Sequence, residues 1–417
     1  MKNSLSISVT GKTPFRLNRR HFLASTGTAA LSVAILQPGL VGGAEANSKL
    51  NIGLVGCGGR GQWISDLFMK NGHYNLVACA DYFKDRADAV GKQFQVPEAM
   101  RFTGLNGYKR LLEQKLDAVV IETPPYFHPE QAAAGVEAGK HVYVAKPIAV
   151  DVPGCLSIGQ SGQKATEKKL VFLVDFQTRA HPSYQKAVAL VHKGGIGSII
   201  NGEATYITGG TWSGMDQALA DHGDDPEARL RSWGGDRTLS GDVITEQNIH
   251  ALDVASWVLN AAPLKAYGSG GRRRIPVKNG VWDYWSVIYY YPNDVLLSFT
   301  SKQVGKAWDD IQCRVYGMEG TIDTHYFGEV RVLCDDAFNG GRMGNLFTDG
   351  VISNIATFYN SITQGDYSNP TPAPSVRSNL TTILGRTAAY RKGEVTWDEL
   401  LKANEKWESP YVRALKG

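Results

Sequence analysis

Residues 56–61 contain three glycines in the spacing G-x-G-x-x-G and follow the short apolar run Leu50–Val55. In such a turn Gly56 permits a tight bend, Gly58 lets the main chain approach a pyrophosphate, and Gly61 lets the next helix pack on the strand. The first turn of that helix offers N–H groups and the positive end of its dipole to phosphate. This pattern predicts a dinucleotide site.

An acid at the expected distance strengthens that interpretation. Asp81 ends the second apolar run, 20 residues after Gly61. Its carboxylate can accept both ribose hydroxyls and would repel a 2′-phosphate, and Tyr82, which follows, is not basic, so NAD is favoured over NADP. Gly59 and Arg60 complete the cofactor-binding turn, and Arg60 faces either the pyrophosphate or solvent.

Further polar residues follow later strands. The run 117–124 is typical of a buried strand that ends in a turn at Thr123 and Pro124, and the strand 141–144 leads to Lys146. Strands that alternate with helices indicate a parallel sheet, which binds ligands at the carboxyl ends of its strands. We therefore expect Thr123, Pro124 and Lys146 to lie beside the dinucleotide.

A candidate acid/base pair occurs in the second half of the chain. Glu246 and His250 are four residues apart in a segment whose apolar spacing predicts one helix, so they would share a face, with Asp253 one turn further on. Oxidation of an alcohol requires a proton acceptor, and a neutral imidazole or a lysine with a lowered pKa can serve. The alternative is a histidine that merely satisfies its hydrogen bonds within the helix.

Taken in order along the chain, these residues resemble the Gfo/Idh/MocA family, named for glucose–fructose oxidoreductase and inositol dehydrogenase. The resemblance extends from about residue 50 to the C-terminus. The residues that carry it are Gly56 to Gly61, Asp81, Thr123-Pro124 with His128, Gly139-Lys140-His141-Val142, Lys146-Pro147, Glu246, His250, Asp253 and Gly317 to Thr321.

The resemblance implies roles for several of these residues. Lys146 and His250 become the acid/base candidates, Glu246 orients or tunes them, and His128 joins the cofactor-binding set together with Lys146. One departure stands out, because Ala145 replaces the glutamate that usually precedes this lysine in the family. Its absence puts the usual tuning of the lysine in question.

A second set of residues is expected to contact a carbohydrate substrate. An arginine beside a tryptophan suits a sugar face and its hydroxyls, and the other members lie after the sixth strand or on the catalytic helix. Ordinary packing at a domain junction is the alternative. The set comprises Gln177, Arg179, Arg231, Trp233 and Asp253.

The predicted fold class is α/β, with an N-terminal Rossmann domain over 47–174 and a C-terminal α+β domain over 175–417. Long alternating strands after residue 199 predict a large, mostly antiparallel sheet. The stretch 209–235 has no clean period and is expected to be a long loop over the site. Helices are expected over 354–364 and 378–392. By resemblance, the open face of the sheet would form a homo-oligomer contact.

Residues 1–46 are interpreted as a signal peptide. Arg19-Arg20 precede Phe22, a mildly apolar run follows, and Ala44-Glu45-Ala46 gives a small-x-small cleavage site. The pattern resembles a Tat signal, which implies export of a folded protein to the periplasm or another extracytoplasmic space. The run is too polar for a membrane span.

Charge and composition exclude other classes. The chain has 44 basic and 40 acidic residues, and five basic residues and one acid lie in 1–46, so the remainder holds 39 of each. A neutral body argues against nucleic acid as a partner. No metal site is indicated, because His-Glu-x-x-His is absent and no third ligand is evident.

Three functions remain open. The first is an exported NAD-dependent oxidoreductase that moves hydride between a tightly bound nicotinamide and a carbohydrate or polyol hydroxyl. The second, suggested by some relatives of the family, is a glycosidase or lyase that oxidises its sugar transiently. The third is a sugar or nucleotide sensor without catalysis, which Ala145 favours and the set Lys146, Glu246 and His250 opposes.

Overall fold

A computed structural model describes residues 49–210 and 213–415, and they form two β-sheets with helices around them. The predicted signal peptide, residues 1–46, lies outside the described part of the chain. Among the helices that are described, none has both the length and the apolar character needed to cross a bilayer.

The first sheet is parallel throughout and has six strands in the order β3-β2-β1-β4-β5-β6. Its central strands are apolar and buried on both faces, as a parallel sheet between helices requires. The strands are β1 (Leu50–Val55), β2 (Tyr74–Asp81), β3 (Arg101–Thr103), β4 (Ala118–Ile121), β5 (His141–Ala145) and β6 (Phe172–Asp175).

Five helices connect these strands, and the turn before the first of them is set by glycine. Gly56 has a φ of 97°, which favours glycine. A Cβ on Gly61 would lie 1.9 Å from the carbonyl oxygen of Gly56, so only glycine lets the helix pack this closely. The helices are α1 (Gly59–Asn71), α2 (Lys84–Gln93), α3 (Gly107–Leu112), α4 (His128–Glu137) and α5 (Val152–Glu167).

The second sheet has nine strands in the order β14-β13-β12-β11-β7-β10-β9-β8-β15, all antiparallel except the pair β7 and β10. Burial alternates along most strands, so one face is covered and the other is open. The strands are β7 (Ile199–Ile207), β8 (Lys265–Gly271), β9 (Tyr284–Tyr290), β10 (Leu296–Lys302), β11 (Asp310–Gly317), β12 (Thr321–His325), β13 (Glu329–Leu333), β14 (Phe338–Arg342) and β15 (Glu394–Thr396).

The two sheets confirm the predicted fold class. A finer expectation was wrong, because the stretch 209–235 contains helices rather than a continuous loop. The remaining helices are α6 (Gln177–Ala180), α7 (Pro182–His192), α8 (Ser213–His222), α9 (Pro226–Arg231), α10 (Arg237–Ser240), α11 (Val243–Glu246), α12 (Ile249–Leu259), α13 (Leu346–Gln364), α14 (Pro372–Arg391), α15 (Trp397–Ala403) and α16 (Pro410–Arg413).

The predicted single helix that would carry Glu246 and His250 is broken into α11 and α12. The N–H of Asn248 donates to the carbonyl of Val243, five residues back, and the N–H of His250 donates to the carbonyl of Gln247, three residues back. The regular four-residue ladder is interrupted between them. Glu246 and His250 therefore do not share a face of one helix, and their proximity depends on this irregular turn.

Helix α14 connects the two halves of the site. The amide of Asn379 donates to the carbonyl of Ala149 at 3.1 Å and accepts from the N–H of Ile148 at 3.1 Å, which fixes the main chain just after Lys146. On the same helix, Arg386 donates to the carbonyl of Gly241 at 2.7 Å, before α11. One buried helix thus holds both segments that supply the candidate catalytic residues.

The glycine packing gives a testable prediction. We expect Gly61→Ala to remove dinucleotide binding and to destabilise the fold by about 1–3 kcal/mol, because its methyl group meets the carbonyl of Gly56. The matched control is Gly59→Ala, where an added Cβ has no neighbour within 4 Å. Thermal unfolding compares the two variants and nucleotide retention is measured on Gly61→Ala. An equal loss of stability in the two variants would contradict the packing argument.

Candidate active site

A cleft of about 630 Å³ opens at the carboxyl ends of the parallel strands. It includes five residues that the sequence assigned to the cofactor, namely Gly56, Gly58, Asp81, Thr123 and Pro124. The cleft starts at Asp81, at the end of β2, passes the end of β1 and reaches the end of β4. Its other walls are formed by Val55, Ala80, Tyr82, Phe83, Arg86, Gly104, Leu105, Tyr108, Glu122, Phe127, Gln131, Leu230 and Trp233.

The residues of this cleft fit a dinucleotide. Helix α1 begins after Gly58 without a capping side chain, so N–H groups of its first turn, at Gly59 to Gly61, are available to a phosphate. Asp81 ends β2 and accepts the main-chain N–H groups of Cys57 at 2.8 Å and Phe83 at 2.9 Å. These bonds aim the carboxylate into the cleft, and its remaining lone pairs can accept ribose hydroxyls.

Two expected cofactor ligands are engaged elsewhere. Arg60 was expected to face the pyrophosphate or solvent, but its guanidinium binds two protein carboxylates. Its Nε lies 2.8 Å from Glu122 and its Nη2 lies 2.6 Å from Asp175. His128 is buried, and its two ring nitrogens face the carbonyls of Thr123 at 2.7 Å and Pro147 at 2.8 Å. His128 therefore joins the loops after β4 and β5 rather than lining the cleft.

Lys146 and Glu246 meet although 100 residues separate them. Lys146 Nζ donates to the main-chain carbonyl of Glu246 at 2.7 Å and lies 3.3 Å from its Oε1. Both side chains are buried. Burial disfavours the ammonium form, so the pKa of Lys146 lies below its ordinary value, although the carboxylate of Glu246 opposes this shift.

His250 is buried beside the same group. Burial lowers its pKa well below the ordinary value, and the positive charges of Lys146 and Arg60 lower it further, so the imidazole is neutral. Its ring packs edge-on against Tyr326, with centroids 5.3 Å apart, and its Nδ1 has no partner in the described part of the chain. A neutral imidazole with one free nitrogen can accept or donate a proton.

The orientation of Glu246 is fixed by two further side chains. Gln247 donates from Nε2 to Oε2 of Glu246 at 2.6 Å, and the hydroxyl of Tyr206 donates to Oε1 of Gln247 at 2.6 Å. This chain ties the carboxylate to strand β7 of the second sheet. The structure thus brings Lys146, Glu246 and His250 together at the end of β5, as the resemblance implied.

Three of the expected substrate residues are engaged with protein groups instead. Arg179 and Asp253 form a bidentate ion pair with N–O distances of 2.8–3.0 Å, and Asp253 is fully buried. Gln177 is also fully buried and donates to Asp175 at 3.1 Å. Their polar groups stabilise the junction between the domains, which was the alternative interpretation.

The other two expected substrate residues lie at the dinucleotide cleft. Trp233 lines the cleft near Phe83 and Leu230. Arg231 pairs with Asp85 at 2.9 and 3.1 Å, and its guanidinium lies 3.8 Å from the centroid of the Phe83 ring. Both residues therefore lie at the Asp81 end of the cleft, beside Phe83.

Sequence reasoning missed Glu122, Asp175 and Tyr326. Glu122 directly follows β4 and Asp175 ends β6, so both are carboxylates at the carboxyl ends of parallel strands, where ligands bind. That position was a usable signal for the two acids. Tyr326 follows β12 and reaches His250 only through the tertiary fold, so its sequence context carried no signal.

Two family models match this chain. Residues 50–176 match the model described as "Oxidoreductase family, NAD-binding Rossmann fold", and residues 184–323 match the "GFO/IDH/MocA C-terminal domain". The chain therefore belongs to the Gfo/Idh/MocA oxidoreductase family, and its first domain is an NAD-binding Rossmann fold.

The individual relatives share less than 30% of their residues with this chain. The scyllo-inositol 2-dehydrogenase (NAD(+)) of Bacillus subtilis is 24% identical over 59% of this chain and 65% of that protein. A glycosyl hydrolase family 109 protein of Shewanella pealeana is 28% identical over 46% of each chain. The matches thus span between about half and two thirds of these curated relatives. A solved levoglucosan dehydrogenase, in complex with NADH and levoglucosan, shares the fold with a TM-score of 0.68 at 19% identity, over 84% of this chain and 99% of that one.

The buried pair of Arg179 and Asp253 gives a second prediction. We expect Asp253→Ala to lower the free energy of unfolding by about 3–5 kcal/mol, because it leaves Arg179 without its counter-ion in a largely buried position. The control is Glu394→Ala, which breaks an exposed pair with Lys265 and should cost less than about 1 kcal/mol. Urea titration compares the variants, and a small effect of Asp253→Ala would return this residue to the substrate candidates.

Proposed function

We propose that this protein is an exported, NAD-dependent oxidoreductase that transfers hydride between a tightly held nicotinamide and a hydroxyl of a carbohydrate or polyol. The observation that carries the proposal is the buried group of Lys146, Glu246 and His250 just after β5, at the edge of the sheet where the dinucleotide cleft opens. Relatives named for inositol and levoglucosan support the substrate class. The twin-arginine pattern at Arg19-Arg20 supports export.

The chemistry follows from the charge states of these side chains. The bound nicotinamide supplies the hydride acceptor. Lys146, with its pKa lowered by burial, has a neutral form that can take the hydroxyl proton, and neutral His250 is the second acceptor. Glu246 fixes Nζ through its main-chain carbonyl and its carboxylate. Since acceptance needs the neutral amine, turnover rises with pH up to the lowered pKa of Lys146.

A panel of sugars and polyols mixed with the purified mature protein tests this function, with the absorbance of the bound nicotinamide as the signal. We expect a substrate to change that absorbance, and Lys146→Met and His250→Ala to slow the change at least ~100-fold while nucleotide stays bound. The exposed Lys168→Met provides the matched control. Full activity in both variants would refute the catalytic assignment, and no response to any sugar would favour a sensor.

Glycosidic cleavage through transient oxidation is the second candidate, supported by the matches to glycosyl hydrolase family 109 proteins. The same proton acceptors would serve it, because the first step is again oxidation of a hydroxyl. Release of aglycone from nitrophenyl glycosides, measured in the same samples, separates a glycosidase from a dehydrogenase.

Retention of the cofactor is supported by a segment that crosses from the second domain to the Rossmann domain. This clamp segment, residues 226–235, includes α9 and reaches the adenosine end of the cleft. Glu227 accepts the hydroxyl of Tyr82 at 2.9 Å, and Arg231 pairs with Asp85. A nucleotide enclosed in this way suits an exported enzyme, because free NAD is not expected outside the cytoplasm.

The clamp segment leads to a prediction about nucleotide release. We expect Arg231→Ala to speed the release of bound NAD about tenfold, because it loses an ion pair and a contact with the Phe83 ring, each worth up to ~1 kcal/mol. Dilution followed by detection of free nucleotide measures the rate. Arg314→Ala, which breaks ion pairs with Glu203 and Asp323 on the second sheet, away from the cleft, is the control. Unchanged release from Arg231→Ala would remove the clamp from the proposal.

We also propose that the open face of the second sheet joins copies of this chain in a homo-oligomer. Several apolar side chains on this face are exposed, and polar Ser and Thr side chains lie between them. The exposed apolar residues are Tyr267, Ile288 and Leu296.

A further inference from the structure

At the carboxyl ends of β4, β5 and β6, an alanine stands between two acids, one on each neighbouring strand. Ala145 on β5 is the register partner of Asp175 on β6, and on the other side Val144 is the partner of Ile121 on β4. Glu122 follows Ile121, so it stands beside Ala145. The family resemblance puts a carboxylate at the position of Ala145, whereas this chain has carboxylates on both neighbouring strands.

Arg60 bridges these two acids across Ala145. Its guanidinium lies 2.8 Å from Glu122 and 2.6 Å from Asp175, and neither carboxylate side chain is exposed. The small methyl group of Ala145 leaves room for the guanidinium of Arg60 to reach both acids. A glutamate side chain at position 145 would compete for that space. Asp175 accepts further hydrogen bonds from Asn354 at 2.8 Å and from Gln177 at 3.1 Å, so its charge is well compensated.

Glu122 is less well compensated. Its Oε2 is bound by Arg60, but its Oε1 is buried and has no hydrogen-bond partner in the described part of the chain. The buried group contains two cations, Arg60 and Lys146, and three carboxylates, those of Glu122, Asp175 and Glu246. Because Lys146 contacts Glu246 and Asp175 has several donors, the surplus negative charge lies at Glu122. A buried carboxylate oxygen without a partner is costly unless a ligand completes it.

The position of Glu122 identifies that ligand group. It is one of the residues that line the dinucleotide cleft, and the strand order β2-β1-β4-β5 places it two strands from Asp81 and next to the strand that Lys146 follows. If Asp81 holds the adenosine ribose, the nicotinamide half lies at this end. We infer, on the basis of the proposed function, that Glu122 faces the nicotinamide half of the dinucleotide and that its charge makes the site bind the oxidised, cationic form more tightly than the reduced, neutral form.

Binding of each redox form to nucleotide-stripped protein tests this inference without any substrate. We expect the wild type to bind NAD⁺ more tightly than NADH, and Glu122→Gln to weaken NAD⁺ by roughly tenfold while NADH changes little, because the variant keeps the size of the side chain and removes its charge. Glu122→Asp should retain most of the preference. The exposed Glu167→Gln makes the same chemical change away from the cleft and should alter neither affinity.

The wild-type pH dependence provides a second measurement that needs no variant. Burial raises the pKa of Glu122 to about 7, against the opposing charge of Arg60. Glu122 gains its charge as pH rises through this value, so the affinity for NAD⁺ should increase there while that for NADH stays nearly constant. Asp175, Lys146 and Arg60 also face this carboxylate. Loss of the step in Glu122→Gln assigns it to Glu122.

The outcomes separate this inference from the function on which it rests. Equal weakening of both forms in Glu122→Gln, or no weakening of either, overturns the role of Glu122 and leaves the oxidoreductase proposal intact. A wild-type protein that binds neither NAD⁺ nor NADH overturns both. A persistent pH step in Glu122→Gln assigns the titration to another group and also overturns the inference.

Discussion

The site depends on the burial of one ammonium group. Lys146 directly follows β5 and is buried, and removing its charge from water is costly unless acceptors surround it. The acceptors come from Glu246, whose carbonyl and carboxylate approach Nζ from the second domain. The two domains must therefore keep a fixed relation for the lysine to remain in place. The same burial favours the neutral amine, which is the form that can accept a proton.

Helix α14 supplies much of that fixed relation. Although it runs through the interior, it carries many polar side chains, and two of them bond main-chain segments on the two sides of the site. Asn379 holds the segment after Lys146, and Arg386 holds the segment before Glu246. Buried polar groups of this kind must be satisfied, and here their partners are the segments that carry the candidate catalytic residues. The same contacts therefore stabilise the fold and position the candidate site.

The charged groups around the dinucleotide cleft are also held in place by contacts with the protein. The start of α1 offers N–H groups to phosphate, Asp81 is aimed by two main-chain amides, and Arg60 is held between two acids rather than left to the ligand. The pair of Glu122 and Asp175 also gives a physical context for Ala145. Strand β5 lacks the carboxylate that the family usually has at this position, but the neighbouring strands β4 and β6 each provide one. The site therefore keeps negative charge, at Glu122 and Asp175 instead of position 145.

The sequence by itself determined the dinucleotide half. The glycine spacing, Asp81 and the alternation of strands and helices are local features, and they gave the Rossmann fold, the cofactor class and the family, all confirmed. A helix pattern also located Glu246 and His250, but not the broken turn between them, because that turn is set by contacts with distant segments.

Only the tertiary structure decided which polar residues face the site. The sequence assigned Arg179, Asp253 and Gln177 to the substrate and Arg60 and His128 to the cofactor, and each is engaged by a protein group. Except for Gln177, whose partner Asp175 is two residues away, that group lies far away in the chain or across a loop. Hydrogen-bond partners at long sequence separation leave no local signal. Glu122 and Asp175 stand at strand ends, which is a local signal, but only the strand order showed that they lie on either side of Ala145.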